Sequence, residues 1–348
     1  MPDEQKRADD APAEPITFRF DMIQEAVEYD DKERTLTFRM TPDPRRYERV
    51  DEGDSHGWFD RFDSLFFSDE VMQEFAAKIG GTPMYYQRPE IDDALEYVQS
   101  RKPAIEAKLE GKGDPPTFED KSEAFLAGLE KDATAFVIMS LDLQGSTRLS
   151  QAIPAPDYAT AITVILDELA LVVAQFHGHV LKYTGDGLIA YFTPPSYNRM
   201  NDLALDCALT MRHLLYAALF PALTERGLPA LEARIGLDAG DAHVVAMGNP
   251  RTKQHRDIIG SVVSIAAKIQ AQAPAGGILV GETVDRALHV NWREQLREFK
   301  PSPSWEYTRP DGQPYRLLEM VGPGARELEP PLAGLRTATQ PNASEGDE

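Results

Sequence analysis

The sequence is short of cysteine, of positive charge and of long apolar runs, and each shortage removes a class of protein. With Cys207 as its single cysteine the chain builds neither an intramolecular disulfide nor a thiolate zinc cluster, which fits a reducing compartment. No run of about eighteen uncharged apolar residues occurs, since the best candidate, 161–176, is interrupted by Asp167 and Glu168, so no membrane span is expected. Lysine and arginine number 36 against 57 aspartates and glutamates, and the resulting charge of −21 opposes stable binding to nucleic acid or to an anionic lipid surface. A local cationic pocket for a small polyphosphate remains compatible with that balance. Residues 1–15 carry no apolar segment of the secretory kind, so the expected location is the cytoplasm. Gly-x-Ser-x-Gly, Walker A and His-Glu-x-x-His patterns are all absent. What is present, 348 residues of which 42% are hydrophobic and 27% charged, suffices for two cores.

The ends, residues 1–15 and 323–348, are polar and rich in Pro, Ala and acids, and read as disordered tails. Between them lie two blocks, 16–131 and 132–322. In the first, Thr17–Phe20 and Thr35–Met40 alternate at period two and predict a paired β element, with helices following over Asp69–Ile79, Ile91–Leu109 (interrupted by Pro103) and Phe118–Leu129. This block carries no chemical motif and reads as an α/β regulatory or dimerisation region.

The second block alternates more clearly. Ala133–Leu141 is an apolar run of strand length, followed by a polar glycine turn over Asp142–Thr147 and a long helix with Ile162, Ile165, Leu166, Leu169, Val173 and Phe176 on one face. Strands over His179–Thr184 and Leu188–Phe192 flank Gly185-Asp186-Gly187, a hairpin signal. A second helix, capped by Asn201 or Asp202, is expected to run to about Phe220. Strands over Leu231–Leu237 and His243–Met247, a helix over Ser261–Gln270 and a strand over Ile278–Val280 complete the block. The order βαββαβ predicts an α+β, ferredoxin-like fold, an open sheet with helices on one face.

Asp142 and Asp186 stand 44 residues apart, yet this order sets one at the end of the first strand and the other in the adjacent hairpin. Two carboxylates held together repel unless a cation lies between them, and hard oxygen donors suit Mg²⁺ or Mn²⁺. Singly, each aspartate has an ordinary role as strand terminator or turn former. The Asp142–Thr147 segment also opens a helix N-terminus that presents N–H groups to phosphate. Arg234, leading an apolar strand, is a candidate triphosphate cation, with a rim position on an edge strand as the plain alternative, while Lys268 near a helix end complements the helix dipole. His177 and His179, flanking Gly178, have no metal-ligand spacing.

This constellation resembles the class III nucleotidyl cyclase catalytic domain over about residues 132–320. The first metal motif of that family, F-x-D-(I/L)-x-G-(F/S)-T, is similar to Asp142–Thr147; its K-x-x-G-D motif is matched by Lys182–Asp186; R-(I/V)-G-x-x-x-G by Arg234–Gly240; and D-x-x-G-x-x-V-x-x-A by Asp257–Ala266. The resemblance implies a head-to-tail homodimer with two clefts at its interface, each taking metal ligands from one chain and base-reading residues from the other. It assigns two divalent cations, Mn²⁺ or Mg²⁺, to Asp142, Asp186 and the Leu143 carbonyl, the triphosphate to Arg234, and base reading to Lys182 and Asp257. The implied reaction is in-line attack of a ribose 3′-hydroxyl on the α-phosphate of a nucleoside triphosphate with loss of pyrophosphate.

Four positions depart from the family pattern. Ser264 and Lys268 stand seven and eleven residues after Asp257, where Asn and Arg usually make transition-state contacts, and Lys keeps the charge without the planar fork. Ser140 and Thr184 replace the aromatic and aliphatic residues that line the adenine slot of adenylate cyclases, and hydroxyls there suit a smaller, carbonyl-rich base. The chain therefore resembles the pyrimidine cyclases of bacterial Pycsar anti-phage systems, whose cyclic UMP or cyclic CMP activates a partner effector. UTP is favoured over CTP because cyclic UMP is the commoner product in that group. An adenylate cyclase, for which Lys182 and Asp257 are the typical pair, and a catalytically inactive nucleotide-sensing module are the alternatives; a diguanylate cyclase lacks its GGDEF-like turn here.

Overall fold

The computed structural model describes residues 19–30, 35–53, 55–79, 88–112, 122–130, 133–193, 197–228, 231–249 and 251–322. The expected terminal tails lie outside them, as do Pro115 and Pro116. In the N-terminal block β1 (Met22–Asp30) pairs antiparallel with β2 (Thr35–Pro42). Three further antiparallel strands follow: β3 (Tyr47–Glu52), β4 (Ser55–Asp60) and β5 (Leu65–Ser68). The first strand thus begins at Met22 rather than covering 17–20, of which Thr17 and Phe18 lie outside the described residues. Arg19 ties this region to the second block instead, bridging Asp21 at 2.7 Å and Asp202 at 2.8 Å. Beside it Arg46, 1% exposed, pairs with Asp21, Asp60 and Asp63, and Arg293 pairs with Asp63 and Asp285. Buried charges persist only when so matched, and loss of one member strands its partner in low dielectric.

Among the described residues the block is completed by α1 (Asp69–Ile79), α2 (Ala94–Leu109) and α3 (Ser122–Ala127). The Asp93 carboxylate starts α2 by accepting from the Leu95 and Glu96 N–H groups. Pro103 sits inside α2 without ending it.

The second block runs β6 (Thr134–Gln144), α4 (Ser146–Ala152), α5 (Ala155–Gln175), β7 (His179–Tyr183), β8 (Leu188–Phe192), α6 (Tyr197–Leu214), a π-helical turn (Leu215–Leu219), α7 (Phe220–Glu225), and β9 (Glu232–Asn249). Then come β10 (Lys253–Ile259), α8 (Ser261–Gln272), β11 (Ile278–Gly281), α9 (Glu282–Ala287), α10 (Val290–Arg293), β12 (Leu296–Phe299) and β13 (Leu317–Met320). The βαββαβ order is therefore present, and the sheet reads β12-β13-β11-β9-β6-β8-β7, with β10 paired to the outer half of β9. Strand β6, antiparallel to both neighbours, is central because its apolar residues point to both faces.

One face offers Val137, Met139, Leu141 and Leu143 of β6 and Ala233, Ile235 and Leu237 of β9 to α5 and α6. The other offers Phe136, Ile138 and Tyr191 to Leu126 of α3 and to Val262 and Ala266 of α8, so helices cover parts of both faces rather than one. Helix α8 comes down on β9 at Gly236, where any Cβ would meet the Gln270 nitrogen at 2.2 Å. The helical stretch Asn198–Glu225 is long and apolar enough by composition to cross a membrane, but 78% of its apolar window is buried in this core.

Four boundaries differ from expectation. Pro154 divides the long helix into α4 and α5. Strand β6 continues through Gln144, so Asp142 lies within a strand and not in a turn. Asn201 and Asp202 are interior to α6 and buried; the Asp202 carboxylate serves Arg19 and the His289 N–H. The two strands expected over 231–247 are one continuous β9, and β10, which carries Asp257, is its hairpin partner.

Candidate active site

The β7–β8 hairpin closes through Gly185, at φ 92°, with the Thr184 N–H donating to the Gly187 carbonyl at 2.9 Å. A left-handed φ of this kind favours glycine. Gly187 lies so close to β6 that a Cβ there would meet the Leu141 carbonyl oxygen at 2.2 Å and the Asp142 Cα at 3.2 Å. Only a glycine lets the hairpin sit on β6 here, and the contact brings Asp186, its neighbour in sequence, alongside Asp142. The Asp186 carboxylate accepts a short hydrogen bond from the Ser146 hydroxyl at the start of α4. Tyr158 of α5 stands near enough that burial and the Asp186 charge push its phenol up.

Alternation along β6 sets Ser140 and Asp142 on the same face as Ile138, and along β9 it sets Arg234 there too. Asp142 and Arg234 are direct partners in the ladder, and Arg234 Nη2 lies 2.5 Å from Asp142 Oδ2. Arg234 Nε is buried and has no hydrogen-bond partner among the described residues. The Ile235 N–H donates to Gly277 and the Ala233 carbonyl accepts from Gly276, so Arg234 turns its backbone groups to β6 and Asp142 turns its own to β9. The Leu143 carbonyl consequently faces the other way, past the last β6–β8 pair, Leu141 with Leu188, and is free of that ladder.

Lys182 on β7 reaches Asp257 on β10, Nζ to Oδ2 2.6 Å, and the other Asp257 oxygen accepts from the Ile258 N–H at 2.9 Å. Asp257 is thereby fixed in orientation, whereas Lys182 stays substantially exposed. The neighbouring Arg256 is clamped by Glu123 and Glu130, each at 2.6 Å, and Phe125 of α3 stacks on His179 of β7. Strands β7 and β10 are thus braced by the helix that precedes the sheet. Ser264 and Lys268, one helical turn apart, project from the exposed side of α8. Thr184 is exposed, while Ser140 is only 6% exposed, between β8 and Gly236. His177, at φ 59°, contacts the Arg88 carbonyl oxygen at 2.6 Å, a structural arrangement.

Among the described residues no group of three or more His, Cys, Asp and Glu side chains forms a metal cluster. Two carboxylate residues, Asp142 and Asp186, stand where the hairpin packs on β6, and the Leu143 carbonyl follows Asp142 on the same strand. That hard-oxygen set fits Mg²⁺ or Mn²⁺, which take their remaining ligands from water and phosphate. The Arg234 guanidinium already occupies the cationic position against Asp142, which shows that the carboxylate accepts positive charge there. Sequence reasoning gives no role to the Ser146 side chain, and it holds Arg256, with Tyr183, only as a further candidate for base selection and not as an ion-pair partner of the acids around α3. The signal for the first was its place directly after Gly145 in the glycine turn; for the second there was none, because its partners lie 126 and 133 positions away.

The family model described as adenylate and guanylate cyclase catalytic domain matches residues 130–303. A cytidylate cyclase of Escherichia coli is 25% identical over 195 residues, 54% of this chain and 40% of that protein. An adenylate cyclase of Anabaena cylindrica is 28% identical over 162 residues, 43% of this chain and 30% of that protein. The chain therefore spans less than half the length of these curated relatives. The crystal structure of the adenylyl cyclase CyaB from P. aeruginosa aligns at TM-score 0.49 and 20% identity, covering 57% of this chain and 98% of that one.

Proposed function

The chain belongs to the adenylate and guanylate cyclase catalytic-domain family over residues 130–303, and on that premise we propose that it converts a pyrimidine ribonucleoside triphosphate, UTP or CTP, to its 3′,5′-cyclic monophosphate and pyrophosphate. The observation that supports the reading is the packing of the β7–β8 hairpin, next to Asp186, on β6 at Asp142, whose carboxylate pairs with Arg234, together with the Lys182–Asp257 ion pair between β7 and β10.

Asp142, Asp186 and the Leu143 carbonyl would hold two divalent cations, Mn²⁺ or Mg²⁺, which when bound neutralise charge on the attacking and leaving oxygens. Arg234 exchanges Asp142 for the triphosphate, using the Nε donor that is otherwise unpaired. The ribose 3′-hydroxyl gives up its proton to water, its oxygen bonds to the α-phosphorus as the bond from that phosphorus to the oxygen bridging to the β-phosphate breaks, and pyrophosphate leaves in line. No covalent enzyme intermediate is required, since orientation and charge neutralisation supply the rate. Lys182 and Asp257 contact the base, and Ser264 and Lys268 reach the reacting phosphate from α8. Their exposed position on α8 suits a cleft completed by a second copy of the chain, in a head-to-tail homodimer.

Preference for a pyrimidine rests on the hydroxyls of Ser140 and Thr184 and on the likeness to a protein named cytidylate cyclase. The cyclic product acts as a second messenger on an effector in anti-phage defence, a role that rests on the likeness to the Pycsar enzymes. One observation favours a second reading: the Lys182–Asp257 ion pair is the arrangement typical of adenylate cyclases. Offering the protein an equimolar mixture of the four ribonucleoside triphosphates with Mn²⁺ separates the two. A cyclic pyrimidine nucleotide as the main product supports the first reading, and cyclic AMP as the main product replaces it with the second.

A further inference from the structure

Apart from the active site, a cavity of about 290 Å³ opens where α6 runs into its π-helical turn, against the loop that precedes β11. Its walls are Leu209, Arg212, His213, Tyr216 and Gly276. Arg212 is unusual in a chain of charge −21. Among the described residues its one hydrogen bond is a long contact, 3.5 Å, to the Gly322 carbonyl, and no carboxylate pairs with it. Burial pulls its guanidinium down from the usual arginine range, against the smaller opposing effects of Tyr216 and Glu319. Desolvating an arginine without an anion is costly, and its planar fork of donors is left largely unused.

The surroundings narrow what fits. Burial, and then the Arg212 charge, push His213 down, so it is neutral at pH 7 and the cavity presents one positive charge. Glu232 accepts a short hydrogen bond from the Tyr216 hydroxyl, and Glu319 faces Arg212 at longer range, so a dianion would meet repulsion. Leu209 and the Tyr216 ring supply apolar wall. The volume is at the lower limit of about 300 Å³ for ligand pockets, which points to a small molecule.

We infer that this cavity is a binding site for a small monocarboxylate, its two oxygens on the Arg212 guanidinium and its apolar body against Leu209 and Tyr216. The site adjoins the catalytic strand: the Ala233 N–H donates to the Tyr216 hydroxyl at 3.3 Å, and the Gly276 N–H donates to the Ala233 carbonyl at 2.8 Å. Ala233 immediately precedes Arg234, so an occupant rests on the residues that hold the Asp142 partner in register.

Benzoate is the probe, titrated into the full chain at pH 7 by calorimetry, with benzyl alcohol as its neutral isostere and inorganic phosphate as the dianion. Saturable one-to-one binding of benzoate is expected, at least tenfold tighter than either control. Arg212→Gln should weaken it at least tenfold, and Arg212→Lys, which keeps the charge without the fork, should fall between; circular dichroism verifies that both fold. Were Arg212→Gln to unfold, the Arg212→Lys loss and the two ligand controls decide. Absence of saturable benzoate binding, undiminished binding by folded Arg212→Gln, or benzyl alcohol or phosphate binding as tightly as benzoate, overturns the assignment.

Discussion

Arg234 and Asp142 face each other across the β6–β9 ladder with their side chains 2.5 Å apart, so the carboxylate proposed to hold metal is neutralised by an arginine of the same chain. A cation that takes Asp142 Oδ2 displaces that guanidinium, and on the proposed reading the displaced guanidinium becomes available to the triphosphate. Metal and nucleotide binding are therefore coupled through one side chain. Arg234→Gln should bind Mn²⁺ several-fold more tightly than wild type in the absence of nucleotide, read from the electron paramagnetic resonance of free Mn²⁺. The same variant should raise the KM for the triphosphate tenfold or more. Weaker Mn²⁺ binding would mean that Arg234 supports the metal site instead of competing for it.

The proposed homodimer makes its own prediction. With Asp186 and Asp257 serving the same cleft from different chains, Asp186→Ala and Asp257→Ala proteins are each inactive alone, and mixing them should restore up to about a quarter of wild-type turnover per chain as half the dimers regain one intact cleft. Subunit exchange is checked by differential tagging. Exchange without recovery of activity would locate both sets of groups in one chain's cleft.

Base choice is tested with substitutions that respect the packing. Ser140 is 6% exposed between β8 and Gly236, so a large side chain there would overpack the strand interface, whereas Thr184 is exposed and tolerates enlargement. Ser140→Ala combined with Thr184→Ile removes both hydroxyls. Each unpaired polar group left by the change costs about 1 to 3 kcal/mol, so the ratio of kcat/KM for the pyrimidine over ATP should fall at least tenfold. An unchanged ratio would remove both residues from base selection and leave Tyr183 and Arg256 to be tried.

What was legible in the sequence, and what was not, follows the range of the interactions. The βαββαβ order and the packing of the Gly185–Gly187 turn against β6 were readable because apolar runs and glycine turns are local signals. Continuity of β9 was not readable: Asp238 and Asp241 look like a turn, yet Asp238 is carried through the strand by hydroxyls of Thr283 and Tyr315, 45 and 77 positions away. Strand β10 was hidden by its polar run Lys253–Asp257, which pairs with β9 and, at Arg256, with acids from α3 and the turn after it. Asp202 resembled a helix cap because its partners, Arg19 and the His289 N–H, come from opposite ends of the chain.

Asp238 also gives a pH dependence. Burial pushes its carboxyl up to about 6, with Tyr315, Thr283 and the Ala239 N–H pulling the other way. The folded state thus keeps this proton where the unfolded chain, titrating near 3.8, has lost it. Its contribution to stability is largest at low pH and is lost as pH rises from about 4 to about 6. Urea denaturation should show wild type losing stability relative to Asp238→Asn across that interval and running parallel to it above. A constant difference would mean that Asp238 does not titrate there.

The proposed function requires that this chain cyclise a nucleoside triphosphate at the Asp142–Asp186 site. The direct measurement is purified protein with Mn²⁺ and each of the four ribonucleoside triphosphates singly, followed by mass identification of products, beside Asp142→Ala of equal thermal stability. The expected result is a 3′,5′-cyclic monophosphate and pyrophosphate in equal amounts from UTP or CTP, and none from Asp142→Ala. No cyclic product from any of the four, or undiminished product from the variant, would contradict it.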